Sequence, residues 1–314
     1  MVVMEQVKKV LCIGGANVDI QFHLHSELML ETSNPVSTKH SFGGVVRNVG
    51  ENLGRLGVDV TLFSIVGVDE LGKALLKHSR PFMNVEGVDG LKQKGSGCYY
   101  AIVNCTGNME VAFADMDLYD GFDEAWIEKK LSLMFPFDYI VADMNIKQSG
   151  LSKLITWSLA NHKFLAMVGV SGPKMHNLPD NLNNVDLIVV NRDETQTYFK
   201  TNEQDIQKLC LLWKQKKVRS AIVTAGKDGI AGFDGNGEVQ IFGVPKVDNI
   251  VNVTGAGDAF CGGVLFGLIN NYSFPYAVKL GTLNASKTIQ TEATVRDDLS
   301  KEKLLQEEKY AKRI

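Results

Sequence analysis

The stretch Asn252-Val253-Thr254-Gly255-Ala256-Gly257-Asp258-Ala259-Phe260 decides how the rest of this 314-residue chain is read. Ala259 to Leu268 is small and apolar with helical spacing, whereas Asn249 to Val253 reads as loop or short strand. Gly255-Ala256-Gly257 therefore opens a helix. Backbone N–H groups without intrahelical partners converge there with the positive end of the helix dipole, which makes an anion site. Asp258, inside that first turn, is open to two readings. An acid there is a favourable structural cap. A carboxylate beside an anion site is also placed to take the proton from an attacking hydroxyl.

Outward from this segment, short apolar runs at residues 8–14, 60–66, 139–142, 164–170, 185–190 and 219–225 read as buried strands. Helical patterns lie between them. Val49, Leu53 and Leu56 fall at i, i+4, i+7, and Ile206, Leu209, Cys210 and Trp213 at i, i+3, i+4, i+7. The alternation predicts an α/β fold with a mostly parallel sheet, helices on both faces, and ligands beyond the carboxyl ends of the strands. Two stretches break it. Residues 20–42 lack helical periodicity, and residues 96–114 look like a hairpin around Asn104 to Asn108. Both are expected to form strands of a small flap inserted in a single domain of residues 1–314. The Lys- and Glu-rich residues 300–314 are expected to form an exposed helix.

A net charge of −3 excludes the basic surplus of a dedicated nucleic-acid binder. No apolar run approaches the roughly 20 residues of a membrane span, and Met1 to Val10 does not read as a secretory leader. Five scattered cysteines, an odd number without a Cys-x-x-Cys pair, read as reduced, buried thiols of a cytoplasmic protein. His23-Leu24-His25 has no third metal ligand in view. Trp126, Trp157 and Trp213 fit core or groove packing, and Lys214 to Lys217 a solvated helix end.

Other glycine-rich turns sort differently. Gly14-Gly15 follows the first strand without the Gly-x-Gly-x-x-Gly spacing of a dinucleotide fold. Asn17 and Asp19 beyond it suit either a polyhydroxylated ligand or a self-capped turn. Gly67 to Ala74 nearly matches a Walker loop, but Ala74 replaces its magnesium-binding hydroxyl, and Asp69 reads as a helix cap. Gly43-Gly44 stands before a helix and lets backbone approach a ligand, while Asn48 offers a donor and an acceptor. Asn191 and Glu194 share one face of a first helical turn, a hard-oxygen pair that suits magnesium through water. Thr224-Ala225-Gly226-Lys227-Asp228-Gly229 again follows a strand. All these loops are expected at one edge of the sheet.

Together the motifs resemble the ribokinase-like (PfkB) family of sugar and nucleoside kinases over nearly the whole chain. They are Gly43-Gly44-x-x-x-Asn48, Gly67-x-Asp69-x-x-Gly72, Asn191 to Glu194, and Thr254 to Phe260. The resemblance implies a three-layer sandwich with a small β-strand lid, and ATP as phosphoryl donor. It implies Asp258 as base toward a primary hydroxyl, with Gly255, Ala256 and Gly257 in the anion hole. Asn17, Asp19, Gly43, Gly44 and Asn48 would hold the acceptor, with Asp115 and Asn145 as further contacts. Asn191 and Glu194 would organise hydrated Mg2+, and Thr224, Gly226, Lys227, Gly229 and Asn284 would line the ATP side. Asn252 and Thr254 would flank a monovalent cation such as potassium, Asn252 standing where most sugar-specific members carry Asp.

Within the family, Ala16 to Asp19, Ser33-Asn34-Pro35, Ala114 to Asp117, Val141 to Ile146 and Asn252 are similar to the pseudouridine-phosphorylating branch. Val36 and Val46 depart from its usual glycines, and Val46 is expected to add bulk beside the acceptor loop. The expected reaction makes pseudouridine 5′-phosphate. Ribose, adenosine, inosine or a fructose-type sugar are the alternative acceptors, and a catalytically silent kinase-shaped binding protein is the alternative of another class. Partners are expected to be the small-molecule acceptor and a second copy pairing through lid strands, with neither nucleic acid nor membrane.

Overall fold

A computed structural model describes residues 8–183, 185–235 and 237–310. The apolar runs become the parallel strands β1 (Lys9–Ile13), β4 (Asp59–Phe63), β9 (Tyr139–Asp143), β10 (Phe164–Val168), β11 (Leu187–Asn191) and β12 (Ser220–Thr224). Two strands that periodicity did not announce extend the sheet: β13 (Ile230–Asp234) pairs antiparallel with β12, and β14 (Gln240–Phe242) pairs antiparallel with β13. The eight strands lie in the order β14-β13-β12-β11-β10-β9-β1-β4. Their two-residue period sends Val10 and Cys12 into one core layer and Leu11 and Ile13 into the other.

Helices α1 (Val45–Arg55), α2 (Glu70–Ser79), α7 (Ala256–Ile269), α8 (Phe274–Thr288) and α9 (Lys301–Tyr310) cover the first layer. The second lies under α3 (Glu124–Met134), α4 (Gln148–Ala160), α5 (Arg192–Phe199) and α6 (Ile206–Gln215). The expected terminal helix is α9, and residues 311–314 lie outside the described set. No helix among the described residues is long and apolar enough to cross a membrane.

The segments that broke the alternation form a second sheet. β2 (Asn17–Leu24), β3 (Val36–Gly43), β7 (Cys98–Val103) and β8 (Met109–Asp115) lie in the order β3-β2-β7-β8. The hairpin turns where expected, with Asn104 Oδ1 accepting from the N–H groups of Thr106 and Asn108. A short parallel pair, β5 (Ile65–Gly67) and β6 (Asp89–Leu91), completes the strands. Asp69 caps α2 and also accepts from the Ser96 hydroxyl and N–H, so the near-Walker segment is structural. Cys12, Cys98, Cys210 and Cys261 are buried as read, but Cys105 is exposed in the β7–β8 turn. Val46 is fully buried in the first core layer, so its bulk lies in the core and not beside an acceptor.

Two features place the functional edge. The strand order reverses direction at β1, which has β4 on one side and β9 on the other. Ligands of open α/β sheets collect at such a switch point. Glycines on α7 also let neighbouring helices approach closely. A Cβ on Gly262 would sit 2.5 Å from Asn52 Cβ of α1, and one on Gly263 would sit 2.6 Å from Gly281 Cα of α8. Gly263→Ala should therefore cost about 1–3 kcal/mol by overpacking against backbone. Gly257→Ala, whose Cβ would meet nothing within 4 Å, should leave stability nearly unchanged. Urea unfolding of the two variants measures the contrast.

Candidate active site

At the switch point Gly14 and Gly15 follow β1, and Asp143 ends β9. Asp143 is fully buried and accepts from Gly15 N at 3.0 Å, Asn145 N at 2.9 Å and Asn145 Nδ2 at 3.2 Å. It also faces Val46 N at the start of α1, at 3.4 Å. Gly14 has φ of 146°, and a Cβ there would lie 2.3 Å from Asp143 Oδ1, so only glycine lets the chain pass this carboxyl. Ala16 is pinned from both sides. Its N–H donates to the Tyr119 hydroxyl, which donates back to its carbonyl, at 2.8 and 2.7 Å.

That anchoring delivers Asn17 and Asp19 at the base of β2. Asn17 Nδ2 donates to Asp19 Oδ1 at 2.7 Å. Gly43 lies opposite Asn17 in register, and a Cβ on it would sit 2.4 Å from Asp19 Oδ2. Gly44 caps α1 with φ of 97°, and a Cβ there would strike Gly15 O at 2.3 Å. Burial raises the Asp19 carboxyl to about 6 against the lowering effects of Arg47 and Asn17.

The opening of α7 meets this cluster. Gly255 caps the helix with φ of 81°, a Cβ there being 2.1 Å from Thr294 O. Ala256 N donates back to Val253 O, but the N–H groups of Gly257 and Asp258 have no partner among the described residues. Asn48 Nδ2 donates to Asp258 Oδ2 at 2.7 Å across 210 residues of chain. Burial raises Asp258 to about 7, with Asp143 and Asp19 adding to the rise and Asn48 and Arg47 opposing it.

A second cluster forms beyond β11 and β12. Asn191 and Glu194 make a capping box on α5, each side chain accepting the other's backbone N–H at 2.8 Å. Glu194 is buried against Gly169, and burial raises it to about 7. Thr224 pairs in register with Asn191. The Gly226–Gly229 turn, with exposed Lys227, is tied to α5 by an Arg192–Asp228 ion pair of 2.8 Å. Both clusters reach α7. The thiol of Cys261, raised chiefly by burial, also feels Asp258 and Glu194.

Three expected residues fall elsewhere. Asp115 is exposed and in register with Cys98, itself in register with Val18, so it shares a sheet face with Val18 and not with Asp19. Asn284 is fully buried; its amide donates to Asn52 Oδ1 and Ala259 O and its oxygen accepts from Arg296 Nε. It braces helices and is not open to a cofactor. Asn252 uses its oxygen on Thr254 N and its amide on Glu292 O, so it holds a turn. Asn145, by contrast, lies in this cluster, against Gly15. Reading the sequence assigned no role to Asp143, Tyr119 or Arg47. For Asp143 and Arg47 a signal existed, since both lie inside quoted motifs; Tyr119 carried none.

The chain matches the family model for pfkB family carbohydrate kinases over residues 7–301. It is 29% identical to the pseudouridine kinase of Escherichia coli K12 across 95% of each chain. It is 24% identical to the guanosine-inosine kinase of Exiguobacterium acetylicum, across 90% of this chain and 95% of that one. A solved carbohydrate kinase from Agrobacterium tumefaciens superposes with a TM-score of 0.83 at 26% identity, covering 96% and 97% of the two chains. The protein belongs to the pfkB family and has the ribokinase-like fold. It is an ATP-dependent phosphotransferase acting on a small-molecule sugar or nucleoside.

The ligand-free site makes stability depend on pH. Asp258 and Glu194 titrate near 7 in the fold, against 3.8 and 4.5 as ordinary side chains. Between those values the folded state binds more protons than the unfolded one, so their contribution falls as pH rises and levels off above about 7. The melting temperature of the ligand-free protein should decline from pH 5 to 7.5, and less steeply in Asp258→Asn. An identical slope in that variant would show that Asp258 is already ionised across this range.

Proposed function

We propose that the chain transfers the γ-phosphoryl of ATP to the 5′-hydroxyl of an uncharged nucleoside, pseudouridine being the preferred acceptor. The observation that carries the reading is the 2.7 Å bond from Asn48 to Asp258. It joins the acceptor loop to a helix mouth with two unpartnered N–H groups. Asp258 takes the proton of the attacking hydroxyl. The N–H groups of Gly257 and Asp258 stabilise charge on the transferring phosphoryl, an arrangement that needs no reorganisation during reaction. Asn17, Asp19 and Asn48 bind the ribose hydroxyls, with Gly43, which has no side chain to cover them, and Asn145 beside them.

The charges favour a neutral acceptor. Asp19 and Asp258 face the cleft, with Asp143 enclosed behind them. The nearby cation, Arg47, is occupied by Glu51, two carbonyls and Asn48. A phosphorylated sugar would meet like charge without a free partner. The second sheet acts as a lid. Tyr99 lies in register with Asp19 on the same face and supplies a flat surface for a base. Asn191 and Glu194 are hard-oxygen donors that fit hydrated magnesium, which would neutralise phosphate charge. The neutral Asn252 oxygen, already accepting a backbone N–H, fits a potassium ion less well than a carboxylate would. The 29% identity to a pseudouridine kinase and the 24% identity to a guanosine-inosine kinase both support a nucleoside.

Coupled assays of ADP release with pseudouridine, uridine, inosine, ribose and fructose 6-phosphate test this. Pseudouridine should give the highest kcat/KM and the sugar phosphate the lowest; ribose matching pseudouridine would overturn the nucleoside reading. Asp258→Asn should lower kcat by about 10²–10⁴-fold while ATP still binds. For the wild type, kcat/KM should rise with pH through a midpoint near 7, as the base loses its proton. Tyr99→Ala should raise KM for nucleosides and leave that for ribose unchanged. Equal changes for both would place the base elsewhere.

A further inference from the structure

Arg47 is separated from Asp258 by the Asn48 side chain and is fully enclosed, with 1% of its surface exposed. A buried guanidinium is costly unless every donor is matched. Here Nε donates to Gly43 O at 3.0 Å, Nη1 to Glu51 Oε2 at 2.7 Å, and Nη2 to Phe42 O at 2.8 Å and to Asn48 Oδ1. Glu51 is itself fixed by Arg55 Nε and Nη2 at 2.9 and 2.8 Å and lies 3.2 Å from His78 Nε2. Burial pushes the Glu51 carboxyl up, but His78, Arg47 and Arg55 together hold it at about 2. The guanidinium is thus clamped from behind by a permanent anion.

The consequence lies in the chemistry of the Asn48 amide. A guanidinium only donates, so the side of Asn48 that faces Arg47 must be its carbonyl oxygen. The NH2 group is then forced to the other side, where Asp258 Oδ2 lies. An asparagine free to flip could turn its oxygen toward that carboxyl, repelling the charged form. We infer that Arg47 is a positioning residue, which locks the amide of Asn48 so that it donates to Asp258 and thereby favours the ionised form of that carboxyl and aims it. The same guanidinium holds the carbonyls of Phe42 and Gly43, so the base and the acceptor loop share one anchor. This inference rests on the kinase reading with Asp258 as base.

The test uses the acid limb of the pH profile, which a merely structural arginine would not move. The charged or titratable groups acting on Asp258 are Arg47 of α1, Asp19 of β2 and Asp143 of β9, with Cys261 on its own helix. Arg47→Met should lower kcat/KM and move the limb up by about one pH unit, the scale of losing a favourable neighbour. ATP affinity should not change. Asn48→Ala should move the limb the same way. In the Asn48→Ala background, Arg47→Met should move the limb clearly less than in the wild type, because only the direct effect of its charge on Asp258 is left to lose.

An unmoved limb in Arg47→Met, or an equal shift in both backgrounds, would overturn the inference; the second result would mean that Arg47 acts through space by its charge alone. Should Arg47→Met not fold, Arg47→Lys keeps a charge without the planar fork and should move the limb upward; an unmoved limb there also overturns it. If turnover is too slow to follow, carbon-13 NMR of labelled aspartates reads the same midpoint without catalysis. Wild-type protein that transfers no phosphoryl to any acceptor would instead defeat the kinase reading beneath.

Discussion

The site depends on bringing the mouth of α7 against the start of α1, and a single side-chain contact, Asn48 to Asp258, closes that gap. The contact is short because the helices behind it are close. Gly262 has no side chain where Asn52 presses, and Gly263 and Gly281 do the same between α7 and α8. Asn284 then ties the three helices with hydrogen bonds to Asn52 and Ala259 O. Arg296, in a two-pronged bond to Glu307 of α9, holds the oxygen of Asn284. Each polar group in this interior layer has a partner, as a buried network requires if it is to rigidify rather than weaken a fold.

Electrostatics divide the cleft into two regions with different duties. On the acceptor side, carboxyls crowd together, and burial raises Asp19, Asp143 and Asp258 above ordinary acids. One clamped guanidinium offsets them. Raised carboxyls near neutrality are suited to accepting a proton, because the conjugate acid is then stable enough to form. At the helix mouth the sign is opposite: free N–H groups and the dipole attract anionic oxygen. The reacting hydroxyl would sit where these regions meet. In the proposed reaction such a boundary would discriminate by charge before any contact with a base or ring is made.

Structural and chemical uses overlap at several residues. The Asn191–Glu194 pair is, by its bonds, a helix capping box. The same oxygens remain at the carboxyl end of the sheet. Asp69, in contrast, is wholly engaged by Gly72 and Ser96. Its glycine-rich surroundings permit close packing of β5 against the Gly95–Ser96 backbone, a Cβ on Gly67 lying 2.4 Å from Ser96 N. Glycine-rich loops of similar appearance therefore serve packing at one place and leave N–H groups unpartnered at another, and hydrogen bonding separates them.

Local chemistry determined much of this. Apolar runs specify strands, glycine pairs specify turns that only glycine can make, and Gly255-Ala256-Gly257-Asp258 specifies a helix mouth with an acid in it. Those features depend on neighbours within a few residues, so they are legible in one dimension. The strands β13 and β14 were not, because antiparallel edges carry weak periodicity and are settled by pairing, β13 with β12 and β14 with β13. Nor could spacing show that Asp143 is enclosed beneath Gly14 and Gly15, that Asn284 is sealed among helices, or that Asp115 emerges on the far face of its sheet. Burial, register and the direction of an amide are properties of what chain arrives from elsewhere. Only the folded molecule decides them, and with them the ionisation of Asp258.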